Sequence, residues 1–240
     1  MLNVEKIFIL HYTKLVERKK RLDSMLSHFN IQAEYVLDYD QEELTEGVIA
    51  EYYKPSESDY GAKFNKLYGA SVAPYRHLNI AQISCTIKHY ECIHKVATET
   101  ENYGLILEDD VIFVEDFVSK FNLFLKETPA DWDAIFLGCC AGLRVPPSLL
   151  KEGVPAYLVP HPASRGGDSY LLRTNAAKKI ASTMKPFTTI SDWELAAQLY
   201  QHNLKTYWWE PPLVVQGSEN GLYQTTLNDD GHRQVIGGQT

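Results

Sequence analysis

The sequence predicts an α/β layered fold in a single domain, and three observations carry that expectation. Short apolar runs of strand length alternate with longer stretches whose apolar residues recur at helical spacing. With 240 residues, 45% hydrophobic and 12% aromatic, the chain has the material for a sizeable core; at this length folding buries roughly 70–75% of the unfolded surface. Charged residues make up 22% of the chain, too few and too evenly mixed with apolar ones for disorder.

The elements follow in order. Residues 6–12 read as a buried strand. Leu15, Leu22, Met25, Leu26 and Phe29 then recur at helical spacing, which predicts an amphipathic helix over 14–28. A second strand is expected over 33–37. Between 42 and 75 the pattern weakens, with Tyr52, Tyr53, Tyr60 and Tyr68 interleaved with Pro55, Gly61, Gly69 and Pro74. A long excursion of this kind is as readily a structural insertion as a functional one.

Ile83, Ile87, Tyr90 and Ala97 mark one face of a helix over 76–98, and a short strand over 103–107 ends abruptly in Glu108-Asp109-Asp110. Phe117, Phe121 and Phe124 stripe another helix, followed by a strand over 134–137 and a loop over 142–153 around Pro146-Pro147. Strands are expected over 156–159 and 169–172, then a helix over 175–184. Ser191-Asp192-Trp193-Glu194 has the form of a capping box opening a helix to about 201. Strands over 206–209 and 213–215 close the regular part, and the tail from Gly217 is polar and glycine-rich. No repeat or linker divides the chain.

Composition excludes several classes. A net charge of −8 argues against nucleic acid, whose phosphates repel an acidic surface; the one basic run, residues 18–21, lies on a helical pattern. Cys85, Cys92, Cys139 and Cys140 have spacings that suit neither a disulfide framework nor a metal knuckle. Reduced thiols in a cytoplasmic chain are the expectation. The apolar run at 7–10 is too short for a signal-peptide core. Nothing approaches the roughly 18 apolar residues of a membrane span, so any membrane contact is peripheral.

Glu108-Asp109-Asp110 is the strongest local signal. In open α/β sheets ligands bind beyond the carboxyl ends of strands. Adjacent carboxylates repel unless a cation neutralises them, and their hard oxygens suit Mg²⁺ or Mn²⁺, a usual way to present a nucleotide diphosphate. The alternative is an acidic turn that merely precedes a helix and favours its dipole.

Taken in order, IFILHYTKLVERKKRL, SCTIKHYECI, YGLILEDDVIF, WDAIFLG, GGDSYLLRTNAAKKI, ISDWELAAQLYQ and YWWEPPLVVQGS give the chain a collinear pattern that resembles glycosyltransferase family 25, the lipopolysaccharide and collagen galactosyltransferase-like group. The resemblance implies a GT-A fold, a Rossmann-like domain with a mixed central sheet flanked by helices. It further implies inverting transfer of a hexose, usually galactose, from a UDP-sugar with Mn²⁺. The acceptor would be a glycan. The Tyr-rich excursion and the tail after Ser218 have no counterpart in the pattern.

Carried over by position, Glu108-Asp109-Asp110 stands for the family's D-x-D motif. Asp110 is the expected metal ligand, Glu108 contacts the ion or the sugar and ribose, and Asp109 belongs to the nucleotide-sugar site. Asp192 is the expected general base, although an aspartate in a helix's first turn also simply stabilises the dipole. Glu194 competes for that role. His11 and Arg18 match the nucleotide-facing strand end and its E-R pair; Arg18 suits a phosphate or a neighbouring carboxylate. In the helix, Ser84 and Lys88 replace the family's glycine and small hydroxyl, leaving Lys88 and His89 as nucleotide-sugar contacts. Lys88 would add a cation near the diphosphate.

Gln216 and Ser218 stand at the family's Q-x-S element, with Gln216 and Trp193 expected at the acceptor. His232 would complete the metal shell from the tail. His89 and His94 are wrongly spaced for a helical zinc motif, and Gly166-Gly167-Asp168 reads as a turn at the sugar pocket. Trp208 and Trp209 could stack on sugar rings or fill the core. A protein that binds a sugar nucleotide or glycan without transferring it is the alternative on the same fold.

Overall fold

A computed structural model describes residues 1–55, 77–140, 142–159, 165–223 and 227. Tyr60, Tyr68 and His232 lie outside the described residues, so the expectation of His232 as a metal ligand does too.

A seven-stranded sheet forms the centre, in the order β2-β1-β3-β7-β5-β8-β6. Its strands are β1 (Lys6–Leu10), β2 (Glu34–Val36), β3 (Tyr103–Glu108), β5 (Ala134–Phe136), β6 (Ala156–Val159), β7 (Ser169–Arg173) and β8 (Thr206–Trp209). β2, β1 and β3 run parallel, β7 is antiparallel to both β3 and β5, β8 is parallel to β5, and β6 is antiparallel to β8. Five strands thus share one direction, and the sheet is mixed as expected.

Side-chain alternation shows why the sheet needs cover on both faces. Phe8, Leu10, Ile106, Tyr170, Leu172, Ala134 and Phe136 point to one core. The intervening Ile7, Ile9, Leu105, Leu107, Leu171 and Ile135 point to the other. The first core is closed by α3 (Ile80–Glu99), α5 (Thr174–Ala181) and α6 (Ser191–Gln201), the second by α1 (Val16–His28) and α4 (Phe117–Glu127). α3 starts with a capping box, Asn79 and Gln82 each bonding the other's backbone N–H. It lies close enough to β3 that a Cβ on Gly104 would come within 2.8 Å of Val96 Cγ2.

Two expectations are corrected and one element is added. The start of the Tyr-rich excursion is helical, α2 (Glu46–Tyr52), because Thr45 caps it by accepting from the Val48 N–H at 3.3 Å. Its Tyr52 and the following Tyr53 are buried in the first core. Residues 111–113 form a short strand, β4 (Val111–Phe113), pairing antiparallel with β9 (Val214–Gln216) in a separate two-stranded sheet. The capping box at α6 does not form: Ile190 is the N-cap, with no side-chain cap bond. Glu194 instead accepts from the Thr188 N–H at 3.2 Å and the Gln198 amide at 3.0 Å. Glu194 is therefore held structurally, though by a different geometry.

Candidate active site

The sheet's topology builds the site. β3 ends at Glu108, and antiparallel β7 begins beside that end, the Glu108 N–H donating to the Asp168 carbonyl at 2.8 Å. The chain then passes from Asp110 directly into β4. Pairing of β4 with β9 sets Gln216 opposite Val111. Gln216 Nε2 donates to Glu108 Oε2 at 3.0 Å, and the Ser218 N–H donates to Asp110 Oδ2 at 3.1 Å. The C-terminal segment is thus latched onto the acidic triplet. A cleft open to solvent is lined by His11, Arg18, Cys85, Lys88, the triplet, Gln216 and Ser218.

Within the triplet the three carboxylates do different things. Asp109 faces the protein: Oδ2 meets His11 Nδ1 at 2.7 Å and Oδ1 accepts from Arg18 at 3.2 Å. Asp109 therefore orients His11 and Arg18, and with them the cleft wall. Arg18 lies under the Tyr223 ring, 4.9 Å from its centroid. His11 Nε2 is buried without a hydrogen-bond partner among the described residues.

Asp110 is 3% exposed and its Oδ1 has no partner among the described residues. Burial, reinforced by the charge of Glu108, pushes its carboxyl up to about 6. Asp168, 1% exposed, shows the same pattern: Oδ1 has no partner there, and burial plus the charges of Glu108 and Asp110 raise it well above the usual carboxylate range. Its other oxygen is so close to Gly138 that a Cβ there would lie 1.7 Å away. Only glycine leaves room for that carboxylate.

Asp192 stands in the first turn of α6, with Oδ1 accepting from the Trp193 N–H at 2.9 Å. Burial pushes it up to about 6, with Glu108's charge adding to the rise. Trp193 is half-buried in the same turn. His89 reaches Glu108 Oε1 through Nε2 at 3.2 Å and the Tyr170 hydroxyl through Nδ1 at 3.2 Å. Carboxylates crowded until they hold protons at unusually high pH characterise sites that bind cations or move protons.

The structure thus brings His11, Arg18, Glu108, Asp109, Asp110, His89 and Gln216 together, with Asp192 within electrostatic reach. It does not leave Lys88 free for a diphosphate. Its ammonium donates to the carbonyls of His11 at 2.9 Å and Leu37 at 2.8 Å and pairs with Asp40 at 2.8 Å, which uses all three donors. Trp209 is fully buried, its indole N–H bonded to Thr128 at 2.9 Å, whereas Trp208 packs against Arg165. Asp168 is the residue that sequence reasoning left as part of a turn. Its signal was an acidic residue immediately preceding a buried strand.

The profile described as glycosyltransferase family 25 (LPS biosynthesis protein) matches residues 4–141. A Drosophila melanogaster protein described as a glycosyltransferase 25 family member is 25% identical over 141 residues, which cover 57% of this chain. The matched region is 21% of that protein, so this chain spans about a fifth of its relative's length. Among solved structures, the crystal structure of a glycosyltransferase involved in the glycosylation of the major capsid of PBCV-1 aligns with 88% of this chain and 94% of its own. The TM-score is 0.42 and the identity 11%. The profile match contains His11, Arg18, His89 and the acidic triplet; Asp168, Asp192 and Gln216 lie beyond it.

Proposed function

The chain belongs to glycosyltransferase family 25, and from that footing we propose that it transfers a hexose, galactose, from a UDP-sugar to a glycan hydroxyl, with inversion at the anomeric carbon. The observation that carries this reading is the pair of buried oxygens without partners among the described residues, Asp110 Oδ1 and Asp168 Oδ1, clustered with Glu108 at the carboxyl end of β3. Three hard carboxylates, with the charge of Glu108 raising the proton affinity of Asp110 and Asp168, fit a divalent cation, Mn²⁺ or Mg²⁺. Asp110, Glu108 and Asp168 would hold it. When bound, it offsets the charge developing on the departing diphosphate.

The chain's own residues do the rest. Asp109 holds His11 and Arg18 in the wall of the cleft, beside the nucleotide. Gln216 and Ser218 fix the positions of Glu108 and Asp110. Asp192 takes the proton from the acceptor hydroxyl as that oxygen bonds to the anomeric carbon and the bond to UDP breaks on the opposite side. A base whose proton affinity lies near neutrality suits that task. All four cysteines are free thiols, which supports a cytoplasmic setting. Among the described residues no helix is long and apolar enough to cross a membrane.

Thermal melting with a panel of nucleotide sugars, with and without Mn²⁺, tests the reading. A ligand that binds only the folded state raises the melting temperature by mass action. The expected result is a rise with UDP-galactose that requires Mn²⁺ and disappears in Asp110→Ala. Asp192→Asn should keep that rise and lose transfer to acceptor. No rise with any nucleotide sugar would overturn the proposal, and unchanged transfer in Asp192→Asn would reject Asp192 as the base.

A further inference from the structure

Behind the triplet, a second donor set of different chemistry gathers around the far oxygen of Glu108. Cys85 and His89 are four residues apart on α3, so both project from one face. The Cys85 thiol, one imidazole nitrogen of His89 and one carboxylate oxygen of Glu108 all lie within 4.8 Å of one another. His89 is 2% exposed. We propose that Cys85, His89 and Glu108 form a site for a soft divalent ion of the zinc type, separate in chemistry from a hard-cation site on the three carboxylates.

Four features support it. Thiolate sulfur, imidazole nitrogen and carboxylate oxygen are each zinc ligands, and three protein ligands leave a fourth position open. A tetrahedral shell with bond lengths of about 2.0–2.3 Å sets ligand atoms roughly 3–4 Å apart; His89 Nε2 and Glu108 Oε1 already stand at 3.2 Å, and all three donors lie within 4.8 Å of one another. Two of the three ligands are held from behind: the Tyr170 hydroxyl lies 3.2 Å from His89 Nδ1, and Gln216 bonds the other oxygen of Glu108. Such outer contacts fix ring orientation and ligand direction. Finally, Gly167 forms the adjoining wall, where a Cβ would lie 3.0 Å from His89 Cε1 and 3.1 Å from Glu108 Oε1. The space beside the ligands exists because residue 167 lacks a side chain.

Binding displaces the thiol proton, so uptake of the ion releases acid. A zinc ion also occupies Glu108, the residue shared with the carboxylate cluster, and withholds it from a donor complex.

Zinc affinity of the purified chain, measured by competition with a chromophoric chelator, tests the proposal, with Co²⁺ as an optical probe of thiolate ligation. One equivalent of zinc should bind with proton release, and the Co²⁺ form should show a thiolate charge-transfer band. Cys85→Ser should abolish the band, whereas Cys140→Ser should retain it. Tyr170→Phe, which keeps every ligand atom, should weaken zinc about tenfold. Absence of the band in the unaltered protein, or its loss in Cys140→Ser instead of Cys85→Ser, would overturn the site. The outcome is independent of transfer: an Mn²⁺-dependent UDP-sugar rise without zinc binding rejects only this site, and zinc binding without that rise rejects only the transferase reading.

Discussion

Gln216 donates its side-chain amide to Glu108 at 3.0 Å, a contact between residues 108 positions apart that joins the end of β9 to the end of β3. A hydrogen bond to a charged acceptor contributes about 1.5–3 kcal/mol, and this one also aims the carboxylate. Gln216→Ala should therefore leave the fold intact while raising the Mn²⁺ concentration needed for half-maximal stabilisation by about tenfold or more. Metal titrations followed by melting temperature would read this. An unchanged titration would place Gln216 outside the cation's support and return it to the acceptor role alone.

Asp168 offers a sharper contrast. Its carboxyl is raised well above the usual range by burial and by Glu108 and Asp110, so its surroundings favour the neutral form. Asp168→Asn fixes that neutral form in a group of similar shape, and the metal-free melting temperature should stay within a few degrees of the parent. Stabilisation by saturating Mn²⁺, about 2.7 kcal/mol at a hundredfold excess over Kd, should largely vanish. A carboxyl with a structural role only predicts the reverse: a lower melting temperature and an intact response to metal.

Lys88 separates a structural cation from a substrate-binding one. The buried pair with Asp40, together with two carbonyl bonds, ties α3 to the ends of β1 and β2. Removing one partner of a buried pair costs about 3–5 kcal/mol because the other charge is stranded. Lys88→Met should lower the unfolding free energy measured in urea by about that amount, and Lys88→Met with Asp40→Asn should recover part of it. A selective rise in donor KM without loss of stability would restore the diphosphate role.

Much of this architecture was legible in the sequence because it rests on local periodicity. β6 and β8 match their expected spans, and α3 follows from a stripe of apolar residues at helical spacing. The acidic triplet stood out because three consecutive carboxylates follow an apolar run, and the structure places its first residue at the end of β3. What was hidden depends on distant pairing. β4 is three residues long and exists through its ladder to β9. Asp168 becomes significant only because β7 runs antiparallel to β3, which places it beside Glu108. Lys88 looked available on a helix until Leu37 and Asp40 closed over it. The α6 start was misread for a related reason: Thr188, from the preceding loop, takes Glu194.

The pH response follows from Asp110 and Asp192, both pushed from 3.8 up to about 6. A carboxyl whose proton affinity is raised by folding binds its proton more tightly in the native state than in the unfolded one. The associated stability is therefore present below about pH 4 and lost as pH rises through about 6. Without metal, the contribution of these two groups should lower the melting temperature between pH 4 and 7; Asp110→Asn should reduce the fall. Saturating Mn²⁺ should counter it, since the cation prefers the ionised form. Catalysis runs the opposite way, because Asp192 must be ionised to accept a proton: kcat should climb about tenfold per pH unit below 6 and level off above it. Melting curves and a pH–rate profile on the same preparation would measure both. A rate independent of pH from 5 to 7 would remove Asp192 from the proton transfer even if the melting curves behaved as expected.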